Sequence, residues 1–139
     1  MKVFFYGRFP PGVRPRIRRM LAGPPFPPEA EVSLKVVAPR TMAQYNTRYH
    51  GVSGPTDVLS FPYEGPRDGA PYLGDVLLCP AYIAEVAKQE GVPFERHFLR
   101  VAAHGVLHLL GMDHQDPPQE REMRAWEERL LERAYAHDG

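Results

Sequence analysis

The 139-residue chain has one cysteine, Cys79, three lysines and no uninterrupted apolar run of membrane-spanning length. A single thiol excludes an intrachain disulfide framework and fits a reducing compartment. The opening stretch MKVFFYGRFPPG is broken by Gly7, Arg8 and two prolines. It does not read as a secretory leader, so the expected location is the cytoplasm, with no membrane association. Net charge is also absent, since 17 Lys and Arg offset 17 Asp and Glu. A protein that relied on non-specific phosphate attraction alone would be more basic.

That zero conceals a gradient. Residues 1–50 hold nine basic against two acidic side chains, and residues 51–139 hold eight against fifteen, so the segments carry about plus seven and minus seven. The basic segment includes RPRIRRM (14–20), with Arg14, Arg16, Arg18 and Arg19. Such a run suits a nucleic-acid surface, and it suits equally a solvated helix face.

Proline is abundant, at 16 residues, and punctuates the chain. VFFY near the start reads as a strand and RPRIRRML as a short helix that ends at the loop AGPPFPPEA. EVSLKVVA (31–38) alternates as a strand does. Thr41 is positioned to cap a helix running to about His50, with Met42, Tyr45 and Tyr49 spaced for one face. Strands are expected at 58–62 and 73–79, and their turn-rich connection permits either pairing sense. A helix from Pro80 to near Gly91, one over roughly 94–110 and one over about 118–135 complete the chain. Phe98, Val101, Ala102, Gly105 and Leu109 form the inner face of the second of these, and Met123, Trp126, Leu130 and Ala134 that of the third. The expectation is a single α/β (α+β) domain over 1–139, with about four strands in a small mixed sheet covered by helices.

The stretch HGVLHLLGMDH (104–114) carries the chemistry. His104 and His108, four apart on a helix, leave the same face. Gly111 supplies a residue able to end that helix in the left-handed conformation, and the turn can then bring His114 back. Three neutral imidazoles at about 2 Å suit one zinc ion and leave a fourth position open; nickel, iron and manganese have the same spacing available. A purely structural site would more often close with four protein ligands, and Cys79 reads as a small buried hydrophobe. Zinc proteases place a glutamate directly after the first histidine, but here that residue is Gly105. Any base must come from another segment. Asp113, beside His114, is placed to orient a ligand or to touch the ion's water.

These residues resemble a known family. HGVLHLLGMDH is similar to the signature of the YbeY family of ribosomal RNA maturation endoribonucleases, once regarded as predicted metalloproteases. YNTRYHGVSGPTDVLSFPYE (45–64) resembles the family's central block, and LGDVLLCP (73–80) the strand before its helical region. The resemblance implies zinc on His104, His108 and His114, an α/β fold with a metal cleft beside the helices, and hydrolysis within single-stranded RNA. The implied task is 16S ribosomal RNA 3′-end maturation and ribosome quality control. The implied partners are ribosomal RNA, the small ribosomal subunit and its assembly proteins, with no role for DNA. It also places His50 where the family usually carries an arginine thought to sit in the cleft, and imidazole lacks that permanent bidentate charge.

The expected chemistry is metal-assisted phosphodiester hydrolysis. His50, Asp57 and Asp113 are the candidate catalytic side chains, and Asp75 is a candidate supporting group beyond the metal ligands. Arg48, together with Arg14, Arg16, Arg18 and Arg19, forms the candidate substrate-binding set. Tyr63 and Tyr72 can stack on unpaired bases, or cover the core edge. Two other readings share the histidine spacing: a non-catalytic, zinc-stabilised ribosome assembly factor, and a zinc peptidase, against which the missing glutamate counts.

Overall fold

The computed structural model describes residues 1–65 and 71–138. The elements run β1 (Lys2–Tyr6), α1 (Val13–Met20), β2 (Glu31–Val36), α2 (Pro39–His50), β3 (Val58–Pro62), β4 (Tyr72–Leu78), α3 (Pro80–Glu90), α4 (Phe94–Leu109) and α5 (Pro117–Tyr135). The sheet order is β1-β2-β4-β3. β1 and β2 are parallel, as are β2 and β4, whereas β3 runs antiparallel to β4. β3 and β4, consecutive in the chain, thus pair antiparallel, and β3 is an edge strand of a mixed sheet; the turn-rich stretch expected between them falls largely outside the described residues.

Alternation along the strands decides which face takes the helices. Val3, Phe5, Val32, Leu34, Val76, Leu78 and Val58 turn toward α1, α3, α4 and α5, where Ile17, Ile83, Phe98, Ala102, Leu130 and Ala134 close the main core. Leu59 and Leu77 turn the other way and join Met42 and Cys79 in a smaller cluster. Among the described residues, α2 covers this second face on its β3–β4 side, through Met42. Cys79 is fully buried and free, in keeping with its reading as a small hydrophobe.

Two local expectations need correction. The cap of α2 is Ala38, with Pro39 in the first turn, and Thr41 lies inside the helix. Proline supplies the helical φ and lacks only an N–H that the first turn would leave unpaired. The inner face of α2 is Met42 and Asn46, while Tyr45 and Tyr49 are exposed. Asn46 is buried because its Nδ2 donates to the Gly54 carbonyl at 3.0 Å, tying the helix to the loop before β3.

Gly74 and Gly105 mark close approaches. Gly74 has φ of +139°, and a Cβ there would sit 2.2 Å from the Phe61 carbonyl oxygen. A Cβ on Gly105 would lie 2.7 Å from Val76 Cγ1 and 2.9 Å from Val58 Cγ2. Helix α4 thus rests directly on β3 and β4, and the histidine end of α4 is held against the edge of the sheet. Among the described residues, no helix is long and apolar enough to cross a membrane.

Candidate metal centre

Helix α4 ends in a Schellman motif. The Gly111 N–H donates to the His108 carbonyl at 2.9 Å, the Met112 N–H donates to the Leu107 carbonyl at 3.3 Å, and Gly111 has φ of +89°. The chain reverses there, as the sequence implied, and His114 returns to His104 and His108. Ring centroids are 4.5 Å apart for His104–His108 and 5.2 Å for each pair with His114. One nitrogen from each ring falls within 4.8 Å of the others. Nitrogens about 2 Å from a shared tetrahedral ion lie about 3.3 Å apart, so small ring rotations bring this set onto one zinc.

Electrostatics favour the same use. Burial first, and then the facing His104 and His108's other neighbour His114, hold the His108 imidazole below its ordinary pKa. A metal ligand must be neutral, and this environment favours the neutral ring. Two imidazole nitrogens, His104 Nε2 and His108 Nε2, stand 2.9 Å apart. A cation between the rings satisfies both lone pairs. The residues present therefore fit a single zinc ion.

Sequence reasoning missed the group behind them. Glu127 on α5 is only 8% exposed, and its Oε2 lies 2.7 Å from His104 Nδ1. A carboxylate at Nδ1 fixes the proton there and leaves Nε2 as the donor atom. The signal was present: positions 123, 127, 130 and 134 share the inner face of α5, and Glu127 is the charged member among Met123, Leu130 and Ala134. Asp113 also belongs beside the centre. Its Oδ1 accepts from the His114 backbone N–H at 2.7 Å and lies 3.8 Å from His114 Nδ1.

A cleft of about 290 Å³ opens next to the histidines, lined by His50, Val58, Leu59, Ser60, Pro62 and His108. His50 is delivered by the end of α2, which stops at Gly51 in the left-handed conformation. Ser60, on β3, is one of these lining residues, and no local sequence signal marks it. Its hydroxyl donates to the Gly105 carbonyl at 2.8 Å and locks β3 to α4 beneath the cleft.

The partners of two other expected site residues are outside the histidine cluster. The Asp57 carboxylate accepts from the Thr56 hydroxyl at 3.3 Å, and the Asp57 backbone carbonyl accepts from the Cys79 N–H. Asp75 is on the sheet's second face, paired with Lys35 at 3.4 Å and accepting from the Tyr72 hydroxyl, so it does not back the histidines. Burial and that bond to Asp75 push the Tyr72 phenol up to about 12. Tyr72 meets Tyr63 edge-on with centroids 5.4 Å apart, which matches the edge-covering reading of this pair.

The arginine run is at the wrong end of α4 for the centre. Arg16 and Arg19 donate to the Ala134 carbonyl at the end of α5, and Arg16 also pairs with Glu95 and Asp138. Glu95 precedes His104 by nine residues, about 13 Å along the helix axis. Arg14 and Arg18 lie over the Phe5 ring at 5.4 and 4.9 Å. Guanidinium groups near a helix C-terminus satisfy its last carbonyls and complement its dipole. The run thus includes two arginines that hold α1 to α5. Arg48 is separate from it, with its guanidinium 5.4 Å from the Tyr49 ring centroid.

A mixed sheet edged by β3, with a helix laid against it and three imidazoles converging at that helix's end, defines a mononuclear metalloprotein of the three-histidine type. The family described as Endoribonuclease YbeY matches residues 13–135. The chain belongs to the YbeY family. It is 42% identical over 117 residues to the endoribonuclease YbeY of Nocardia farcinica, covering 78% of this chain and 64% of that one. With the Mycobacterium tuberculosis endoribonuclease YbeY it shares 39% identity over 127 residues, covering 80% and 72%. The chain thus spans somewhat under two thirds of the Nocardia relative's length. The solution structure of TM1509 from Thermotoga maritima has the same fold, with a TM-score of 0.63 at 23% identity, covering 96% of this chain and 89% of that one.

Proposed function

We propose that this protein is a zinc-dependent endoribonuclease that cuts single-stranded RNA. The observation that carries this reading is the placement of His104, His108 and His114 beside a cleft into which α2 brings His50. Family membership supports the choice of RNA, as the Nocardia and Mycobacterium relatives are named endoribonucleases. Bound by the three histidines, zinc would supply Lewis acidity toward water and the scissile phosphate.

The chain's own groups have distinct tasks. Glu127 holds the His104 ring through Nδ1, so that the other nitrogen serves the metal. Asp113 orders the turn that carries His114. His50, across the cleft from His108, contacts the phosphate: as imidazolium it offsets developing charge, and as imidazole it accepts a proton. Arg48 adds a permanent cation on the outer side of α2. Asp57, in the loop before β3 and next to the cleft-lining Val58, accepts a proton or orients a ligand.

The peptidase reading needs a carboxylate after His104. The contacts around Gly105 leave no room for one, because even a Cβ meets Val76 and Val58. The biological task in this reading is 3′-end maturation of 16S ribosomal RNA and ribosome quality control, in the cytoplasm, with the small ribosomal subunit and its assembly proteins as partners. Residues 1–139 act as one domain.

A substrate panel tests the reading. Stringently purified protein loaded with zinc is expected to cut a single-stranded ribosomal RNA fragment, to spare the same sequence in a duplex, and to leave a casein-derived peptide intact. Peptide cleavage with no RNA cleavage would replace the endoribonuclease with a peptidase. Inertness toward every substrate, with the metal bound, would favour the assembly-factor reading.

A further inference from the structure

The second face of the sheet carries aromatic rings that the three-histidine centre does not use. Tyr45 and Tyr49 on α2 lie nearly parallel, at 15° with centroids 5.9 Å apart, and remain 39% and 53% exposed. Both rest on Phe61 of β3, at 6.1 and 5.2 Å. On β1, Tyr6 is 51% exposed, with Lys35 Nζ 5.5 Å from its ring centroid. Lys2 Nζ lies 4.9 Å from the Phe4 ring. Between the tyrosines of α2 and the Lys35–Asp75 pair runs a groove of about 330 Å³, with the Thr41 side chain on its wall.

We propose that this groove is a base-stacking site that holds single-stranded RNA and leads it to the metal cleft. The inference rests on the endoribonuclease reading above and extends it from the point of cleavage to the flanking nucleotides. Exposed tyrosine rings with a cation close by, Lys35 over Tyr6 and Arg48 over Tyr49, are what unpaired bases and their phosphates recognise: any base offers a π-face to an open ring face, and Lys or Arg meets the backbone. Lys35, Thr41 and Asp75 add hydrogen-bonding groups along the groove for base edges. Lys2 and Arg48 favour a polyanion over an apolar protein partner, while Lys35 is already paired with Asp75. A duplex would not use the rings, because its bases are already stacked on one another.

Continuity with the centre is the second line of argument. Phe61 lines the groove, while its neighbours Ser60 and Pro62 line the cleft at His108. Tyr49 lines the groove and the next residue, His50, lines the cleft. A strand lying on the tyrosines needs only to turn around the free edge of β3 to reach the histidines.

The test measures affinity for a short fluorescent single-stranded RNA by anisotropy, on the full chain carrying His108→Ala so that the strand stays intact. Cleavage of the same RNA by the zinc-loaded parent runs alongside. Replacing both tyrosines with alanine is expected to weaken binding roughly ten-fold or more, because each lost stacking partner counts. Replacing both with phenylalanine keeps the ring faces and is expected to keep the affinity. Thermal melts check that both pairs of exposed substitutions leave the fold intact. If the parent cuts RNA but the alanine pair binds as tightly as the tyrosines do, the stacking site is wrong and the endoribonuclease stands; a protein-docking role for this face would give that result. If the RNA is neither bound nor cut, both readings fall.

Discussion

Glu127 stands among charged neighbours on α5, yet it is the acidic side chain that α5 turns inward, onto His104. Burying a carboxylate without a partner is expensive, so its place is explained only by the imidazole it holds. Glu127→Ala is expected to lower zinc affinity about 10- to 100-fold while the protein stays folded, measured by competition with a chromogenic chelator. Zinc binding at parental strength would remove Glu127 from the site. His108 gives a second residue-scale expectation. Its folded pKa lies below the ordinary value of 6.5, so the unfolded chain holds more protons in the window just beneath that value. The contribution to stability is therefore complete above the ordinary imidazole pKa and is lost as pH falls through the lowered one. Melts of metal-free protein between about pH 5 and pH 8 should show a midpoint that drops on the acid side, and zinc should raise the midpoint most at the neutral end.

At the scale of elements, the centre depends on how α4 begins its contact with the sheet and how it stops. Gly105 answers both the packing question and the chemical one: the residue that a peptidase would use as a carboxylate is here the point where helix meets strand. Gly105→Ala is expected to destabilise the protein on the order of 1 kcal/mol, since overpacking against the stiff Val76 and Val58 exceeds the gain in helix propensity. A rise in the midpoint of a thermal melt would show that the neighbours can move. Gly111 is different, because nothing lies within 4 Å of a Cβ there and only its φ of +89° demands glycine. Gly111→Ala should cost about 1–2 kcal/mol through the left-handed backbone and, by displacing His114, should weaken zinc binding in the same chelator titration. The element pattern was largely legible in the sequence, because the strands alternate and prolines and glycines mark most ends. The face of α2 was not. Met42, Tyr45 and Tyr49 have helical spacing, and Met42 is buried as expected, but the second buried position went to Asn46, whose amide finds the Gly54 carbonyl, and the tyrosines found Phe61 at the rim.

For the whole molecule, the charge gradient along the chain became part of the fold. The basic N-terminal segment meets the acidic C-terminal one where Arg16 and Arg19 reach the end of α5, and Arg133 of α5 donates back to the Met20 and Pro24 carbonyls. Linear charge could not reveal this, because it depends on α1 and α5 packing side by side. The histidines were legible for the opposite reason: i, i+4 spacing and a glycine-terminated helix are local, and local geometry was enough to gather them. Their supports, Glu127 and Ser60, come from other elements and needed the tertiary fold. Asp75 was misplaced because an acidic residue on a strand near the signature gives no sign of which face it occupies. Everything proposed about function converges on the metal. The measurement that tests it most directly is the cleavage rate of a defined single-stranded ribosomal RNA fragment by metal-depleted protein, by the same protein with zinc restored, and by a folded His108→Ala variant. Activity should vanish on depletion, return with one zinc per chain, and stay absent in the variant; a metal-depleted protein or a His108→Ala variant that cuts as fast as the zinc-loaded parent would contradict it.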